Sequence, residues 1–244
     1  MTTLVVGANG ATGKLLVEQL LERGEEVRII VRSSNNLSAT LLGHKNLTVI
    51  TANILDLNDS ELSQYVTGCD AVASCLGHNL SLKGMFAAPR KLVTDATRRL
   101  CLAITNNVDQ NGRPEPTKFV LMNTTGNSNR DLIEPISFAQ KVVIALLRRL
   151  LPPHADNETA ADFLRTQINR TDNLIDWSVV RPDALIDEQE PTQFSVHPSP
   201  IRSAIFDSGK TSRINVARFM ADLITDAETW NAWKSKMPVI YNQV

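Results

Sequence analysis

Cysteine is scarce. Three residues, Cys69, Cys75 and Cys101, are odd in number and show no CxxC spacing, so they supply neither a disulfide framework nor a zinc site. A reducing, cytoplasmic setting is the expectation, and no metal site is expected. Charge of one sign is not in excess either. The 25 Lys and Arg residues balance 26 Asp and Glu to a formal net charge of −1, so no long-range field draws in nucleic acid or an anionic membrane. The chain opens directly on LVV, with no basic segment leading into an apolar leader, and no uninterrupted apolar run reaches bilayer length. A soluble, untargeted protein is expected, with no nucleic-acid or membrane partner. Tyrosine is rarer still, with only Tyr65 and Tyr241.

What is present has the composition of a soluble globular protein, 43% hydrophobic and 21% charged, in a length of 244 residues that suits one α/β domain. Short apolar runs recur: TLVV (3–6), EVRIIV (26–31), LTVIT (47–51), AVASCL (71–76), KFVLMN (118–123) and DWSVVR (176–181). Continuous runs of this kind, bounded by turn residues, mark strands buried on both faces of a parallel sheet. The segments between them have helical period: KLLVEQLLERG ends on Gly24, and KLVTDATRRLCLAI and FAQKVVIALLRRLL follow the same spacing. Right-handed crossovers then give a doubly wound parallel Rossmann sheet. NNVDQNGRPEPT reads as a polar loop. After DWSVVRP the rhythm breaks into an irregular, Pro-rich stretch, a helix INVARFMADLI and a possible last strand PVIY. Residues 183–244 are expected to form a small lobe on the substrate side, over the carboxyl edge of the sheet, within a single domain of residues 1–244.

Between the first strand and the first helix lies GANGATG. Its first glycine permits a sharp turn, its second lets the backbone approach a pyrophosphate and its third allows close helix packing, with the phosphates at the helix N-terminus. The turn Gly7, Asn9, Gly10, Ala11, Thr12 and Gly13 is therefore the expected cofactor cradle. The second strand decides which dinucleotide. Sites for an unphosphorylated ribose carry Asp or Glu at its end, whereas RIIVRSS carries Arg32 followed by Ser33 and Ser34. A guanidinium binds a 2′-phosphate in a bidentate way, so NADP is expected, NADPH in preference to NADH. The bland alternative is a surface arginine beside a turn.

GANGATG, the IIVRS strand end, TANILD, GCDAVASCLG and WSVVRPDAL together resemble the atypical short-chain dehydrogenase/reductase group, which includes NmrA-like sensors and flavin or biliverdin B reductase-like enzymes. The resemblance covers residues 3–185 and fades beyond them. It implies that Asn53 and Ile54 lie near the adenine, that Cys75, Leu76 and Gly77 line the nicotinamide ribose, and that Pro182, Asp183 and Leu185 close over the nicotinamide. It also places Thr124 where relatives carry Ser or Thr after the fifth strand.

Members of that superfamily use YxxxK to move the proton, and neither tyrosine here has a lysine four residues on. Ser137 and Lys141 echo only the spacing, and a serine without a base is a poor acid. Other groups remain. His78, on the loop 78–90 after the fourth strand, can donate a proton near neutral pH. Lys83 and Arg90 share that loop and serve equally as solvated charges. In PPHADNETAADFLR, Asp156 or Asn157 can cap the helix, His154 precedes them, and the resemblance puts Asn157 near a ligand-contacting position. His78, Thr124 and Asn157 are thus the candidate catalytic residues. His197 either lines the pocket or covers the sheet edge, His44 reads as a turn residue, and Arg181 reads as an anchor below the site.

Two functions are compatible with these residues. One is an NADPH-dependent reductase of a flat conjugated acceptor such as a flavin, quinone or enone, which can take its proton from water. The other is a non-catalytic NmrA-like redox sensor that holds NADP(H) and signals to a protein partner. The small-molecule substrate of the first is not identified by the sequence.

Overall fold

Residues 1–78, 88–111, 115–135, 137–168 and 173–243 are described by a computed structural model. The first half runs β1 (Thr2–Val6), α1 (Ala11–Glu22), β2 (Glu26–Val31), α2 (Ala39–Leu42), β3 (Leu47–Thr51) and α3 (Asp59–Val66). The second half runs β4 (Ala71–Ser74), α4 (Leu92–Asn111), β5 (Thr117–Met122), α5 (Phe138–Leu150), α6 (Pro152–Phe163) and β6 (Ile175–Pro182). There follow β7 (Ala184–Ile186), β8 (Phe194–His197), β9 (Lys210–Ser212), α7 (Arg213–Thr225), α8 (Ala227–Trp233) and β10 (Val239–Asn242). Each apolar run of the sequence reading became a strand, with ends that move by one or two residues. Residues 106–111, expected in a loop, instead continue α4.

The main sheet has eight strands in the order β3-β2-β1-β4-β5-β6-β10-β8. From β3 to β10 all neighbours are parallel, and only β8 runs antiparallel, against β10. This is the doubly wound arrangement. Strand order turns round between β1 and β4, and a crevice opens at the carboxyl ends of the strands at such a switch point.

Both faces of the sheet are covered. On one, Leu16, Leu20, Val216 and Met220 bring α1 and α7 together over the strands. On the other, Leu62, Leu100, Ile104 and Trp177 fill the layer between the sheet and α3 and α4. Each such side chain contributes about 1.5–3 kcal/mol on burial, so the strand ends that carry the site are held by a stiff frame.

The segment after Pro182 divides in two. Its helix α7 packs on α1 and its strands β10 and β8 extend the main sheet. The rest, with the parallel pair β7 and β9, sits beside the end of β6. The expected lobe is thus partly frame, because INVARFMADLI carries an apolar face too wide to leave uncovered.

Candidate active site

The glycine turn connects β1 to α1 at the switch point. Gly7 has φ +81°, and a Cβ there would come within 2.5 Å of the Cys75 backbone carbonyl carbon. A Cβ on Gly13 would overlap the Gly7 carbonyl oxygen. Both positions need glycine, one for its backbone conformation and both for close approach. Gly10 is the N-cap of α1 and brings no capping side chain, so the first N–H groups of the helix are left for an anion. Asn9, Gly10 and Ala11 are exposed at this mouth, while Thr12 is buried beneath it. A cradle closed to any side chain, above a helix start without a cap, fits a dinucleotide pyrophosphate.

Asn9 does a second thing. Its Nδ2 donates to the Ser33 carbonyl at 2.6 Å, which ties the glycine turn to the end of β2. Arg32 is exposed beside that tie and has no ion-pair partner among the described residues. Ser33 Oγ accepts from the Asn35 backbone at 3.2 Å. Arg32 and Ser33 therefore stand at the edge of the cradle.

The remaining cofactor-side positions are more mixed. Asn53 turns its side chain to Asp56 (2.9 Å), and Ile54 is 5% exposed within the core layer of α3 and α4. Leu76 packs against that same layer. The Cys75 backbone abuts Gly7, but its thiol points away, 4.0 Å from Met220 Sδ, and burial pushes its pKa up to about 12. That thiol is inert near neutral pH. Gly77 has open space where a side chain would sit. Asp183 is spent on structure. It accepts from Thr125 Oγ1 (3.1 Å) and the Gly209 N–H (2.8 Å), and desolvation raises its pKa against those hydrogen bonds. The Pro182 carbonyl accepts from the Thr125 N–H at 3.0 Å, and Leu185 packs on the α1 side of the core.

The candidate proton groups meet at the start of α6. The helix begins at Pro152, after the N-cap Leu151, so neither Asp156 nor Asn157 caps it. Asp156 caps a different helix. Its Oδ2 and Oδ1 accept the Val93 and Thr94 N–H groups of α4 at 2.8 and 3.0 Å, and Thr94 Oγ1 donates to the Asp156 carbonyl at 2.9 Å. His78 Nε2 lies 2.8 Å from the same Oδ2, and the two side chains are 3% and 1% exposed. His78 is therefore half of a buried dyad and not a free loop residue.

Thr124 and Asn157 are joined by a residue that the sequence reading missed. Asn123 Oδ1 accepts the Thr124 N–H and Asn123 Nδ2 donates to the Asn157 carbonyl, both at 2.9 Å, while Asn127 Nδ2 also donates to Asn123 Oδ1. Thr124 Oγ1 accepts weakly from the Gly126 N–H at 3.3 Å. The His154 ring lies against Gly126, its Cε1 3.2 Å from where a Cβ would be, and its buried Nε2 has no partner among the described residues. Burial lowers the His154 pKa, the nearby Glu158 carboxylate opposes that to a smaller extent, and the Arg148 guanidinium adds to the lowering.

Other candidates fall away from the chemistry. Ser137 caps α5 by accepting from the Gln140 N–H at 3.2 Å, which accounts for the serine of SxxxK. Lys83 and the Lys141 side chain lie outside the described residues, and Arg90 is exposed. His197 sits on the edge strand β8 against the Tyr241 ring, centroids 5.9 Å apart, so it covers the sheet edge. His44 Nδ1 accepts from the Asn46 N–H in a turn. Arg181, wholly buried, donates to the Met237 and Asn127 carbonyls (both 2.8 Å) and pairs with Glu134 at 2.8 Å, which anchors the 123–135 segment from below as expected. A cavity of about 550 Å³ lies at the opposite, amino edge beside Asp70, Lys118, Asp176 and Trp230. The glycine cradle, and not cavity size, locates the site. No described group of three His, Cys, Asp or Glu side chains could hold a metal, and no described helix is long and apolar enough to cross a membrane.

Fold and cradle together define a Rossmann-type dinucleotide-binding protein. A family profile described as NAD(P)H-binding matches residues 7–227, and the chain belongs to that family. No curated protein matches it by sequence. Among solved structures it is similar to a short-chain dehydrogenase/reductase from Veillonella parvula DSM 2008 in complex with NADP. The TM-score is 0.71 at 15% identity, over 99% of this chain and 94% of that one. A Streptococcus pneumoniae TIGR4 protein named as an NADH-flavin reductase gives 0.65 at 19% identity, over all of both chains. The anaerobillin reductase ChuY from Escherichia coli O157:H7 gives 0.66 at 17% identity, over 99% of this chain and 97% of that one. These likenesses establish the fold and agree with the resemblance to atypical short-chain dehydrogenase/reductases.

Proposed function

We propose that the protein is an oxidoreductase, an NADPH-dependent reductase of a flat conjugated acceptor such as a flavin, quinone or enone. The observation that carries this reading is the tie of the cradle through Asn9 to Ser33 at the end of β2, with Arg32 next to it in the chain, together with a cluster that offers hydroxyl and imidazole groups without a Tyr/Lys pair. Neighbours of the same fold support a reductase reading, since one holds NADP, one is named as an NADH-flavin reductase and one as an anaerobillin reductase.

In this reading the glycine turn and the start of α1 hold the pyrophosphate, and Arg32 with Ser33 holds the 2′-phosphate. When bound, the reduced nicotinamide supplies a hydride. The Thr124 hydroxyl donates to a heteroatom of the acceptor and orients it. Protonated His78 gives a proton to the acceptor anion that hydride addition leaves, and recovers it from water. Asn123 sets the backbone that carries Thr124 and Asn157, and the Asn157 side chain contacts the substrate. A delocalised anion is a weak base, so a modest acid suffices where a simple ketone would need the tyrosine.

The test is NADPH consumption by the purified protein across a panel of flavins, quinones and enones, with NADH in parallel. Saturable turnover that favours NADPH is the expected result. Tight NADPH binding with no turnover on any acceptor would overturn it and leave the redox-sensor reading, which rests on the same missing Tyr/Lys pair and predicts a protein partner held in one redox state only.

A further inference from the structure

The Asp156 carboxylate lies away from the strand ends in sequence, yet it meets the imidazole that follows β4. Both of its oxygens accept N–H bonds from the start of α4, Val93 to Oδ2 and Thr94 to Oδ1, and Oδ2 is also the atom that faces His78 Nε2. A carboxylate held by those donors offers the imidazole an acceptor and no proton. The ring nitrogen at 2.8 Å must then be the one that carries hydrogen. Burial of both side chains removes the competition of water and leaves little freedom to rotate.

We propose that Asp156 is a positioning residue that fixes His78 as the Nε2–H tautomer and keeps Nδ1 for the reacting proton. This deepens the reductase reading and, for its catalytic part, rests on it. Neutral His78 then presents a lone pair at Nδ1. The imidazolium presents an N–H there, which passes to the acceptor anion as that anion forms its bond to hydrogen, and the ring returns to neutral. Asp156 does not take the proton; it holds the opposite end of the ring and offsets the charge of the imidazolium. The same carboxylate fastens α4 and α6 to the histidine, so the ring is set by the frame.

The experiment begins with the wild-type protein. Nitrogen-15 NMR of the His78 ring, assigned by the signals that vanish in His78→Gln, is read at a pH where the ring is neutral. Protonation at Nε2 with a bare Nδ1 is the expected result, and the Nδ1–H tautomer would overturn the proposal whatever the turnover. Next comes Asp156→Asn, which preserves size and removes charge. kcat should fall about 100-fold, within the usual span of a general acid, while KM for NADPH stays within twofold. Loss of NADPH binding together with kcat, or no loss at all, would assign Asp156 a structural part only. In the His78→Gln background, Asp156→Asn should cost no further kcat, and an added loss would refute action through His78. Should the wild type turn over no acceptor, the reductase reading falls, and the tautomer alone decides the assignment of Asp156.

Discussion

Arg181→Met tests the frame beneath the site. Arg181 and Glu134 are 0% and 2% exposed, with 2.8 Å between them. The guanidinium also donates to Met237 and Asn127, and to the Pro198 carbonyl at 3.3 Å. Glu134 Oε2 accepts the Asn129 N–H at 3.1 Å, but Oε1 makes no hydrogen bond among the described residues, so its compensation there is the Coulombic pair itself. Removing one partner of such a buried pair costs about 3–5 kcal/mol because the other charge is left uncompensated. For a chain of this size each kcal/mol lowers Tm by about 2–4 °C, so Arg181→Met should melt about 6–20 °C below the wild type. Differential scanning calorimetry at fixed protein concentration measures this. Replacing both residues, Arg181→Met with Glu134→Leu, should recover much of the loss, since no charge is then stranded. A single variant that melts within 2 °C of the wild type would refute the reasoning.

Three further outcomes follow from the same geometry. Arg32→Asp should lower the NADPH/NADH affinity ratio by about 10- to 100-fold, the worth of one charge-assisted contact, and an unchanged ratio by fluorescence titration would exclude a 2′-phosphate site at Arg32. Gly13→Ala places a methyl group on the Gly7 carbonyl oxygen, so it should destabilise the protein by about 1–3 kcal/mol and weaken NADPH binding; wild-type affinity and Tm would show that the turn is loose. Burial holds the His154 pKa in the folded protein below 6.5, so below pH 6.5 the unfolded chain binds the proton first. Stability is therefore lost as pH falls from 6.5 through the folded value, and His154→Gln should flatten the urea midpoint over that window. Parallel pH profiles for the two proteins would contradict the assignment.

The sheet was legible because its signal is local. Strands buried on both faces must be apolar throughout, and six such runs separated by helical periods leave little choice of topology. The glycine turn was legible for the same reason, since strand, turn and helix are adjacent in the chain. Asp156 was misread because the capping rule looks a few residues ahead, whereas this carboxylate caps a helix 62 positions away across the core. Asn123 carried no signal at all. An asparagine after a strand is common, and only the meeting of the end of β5 with α6 brings its Nδ2 to the Asn157 carbonyl. The C-terminal segment was half legible: the period of α7 was plain, but whether a short apolar run such as PVIY joins a sheet or merely covers it depends on neighbours distant in sequence.

That last strand has a consequence for how the molecule is made. Among the described residues β8 pairs with the main sheet only through β10, which is synthesised after it and wedges between β8 and β6. While the chain is still emerging, the open side of β6 and the whole of β8 have no pairing partner, and such edges invite association with other chains. The dinucleotide cradle, built from the first strands, is complete long before then, so a nascent chain can have its cofactor half formed while its far edge still needs protection.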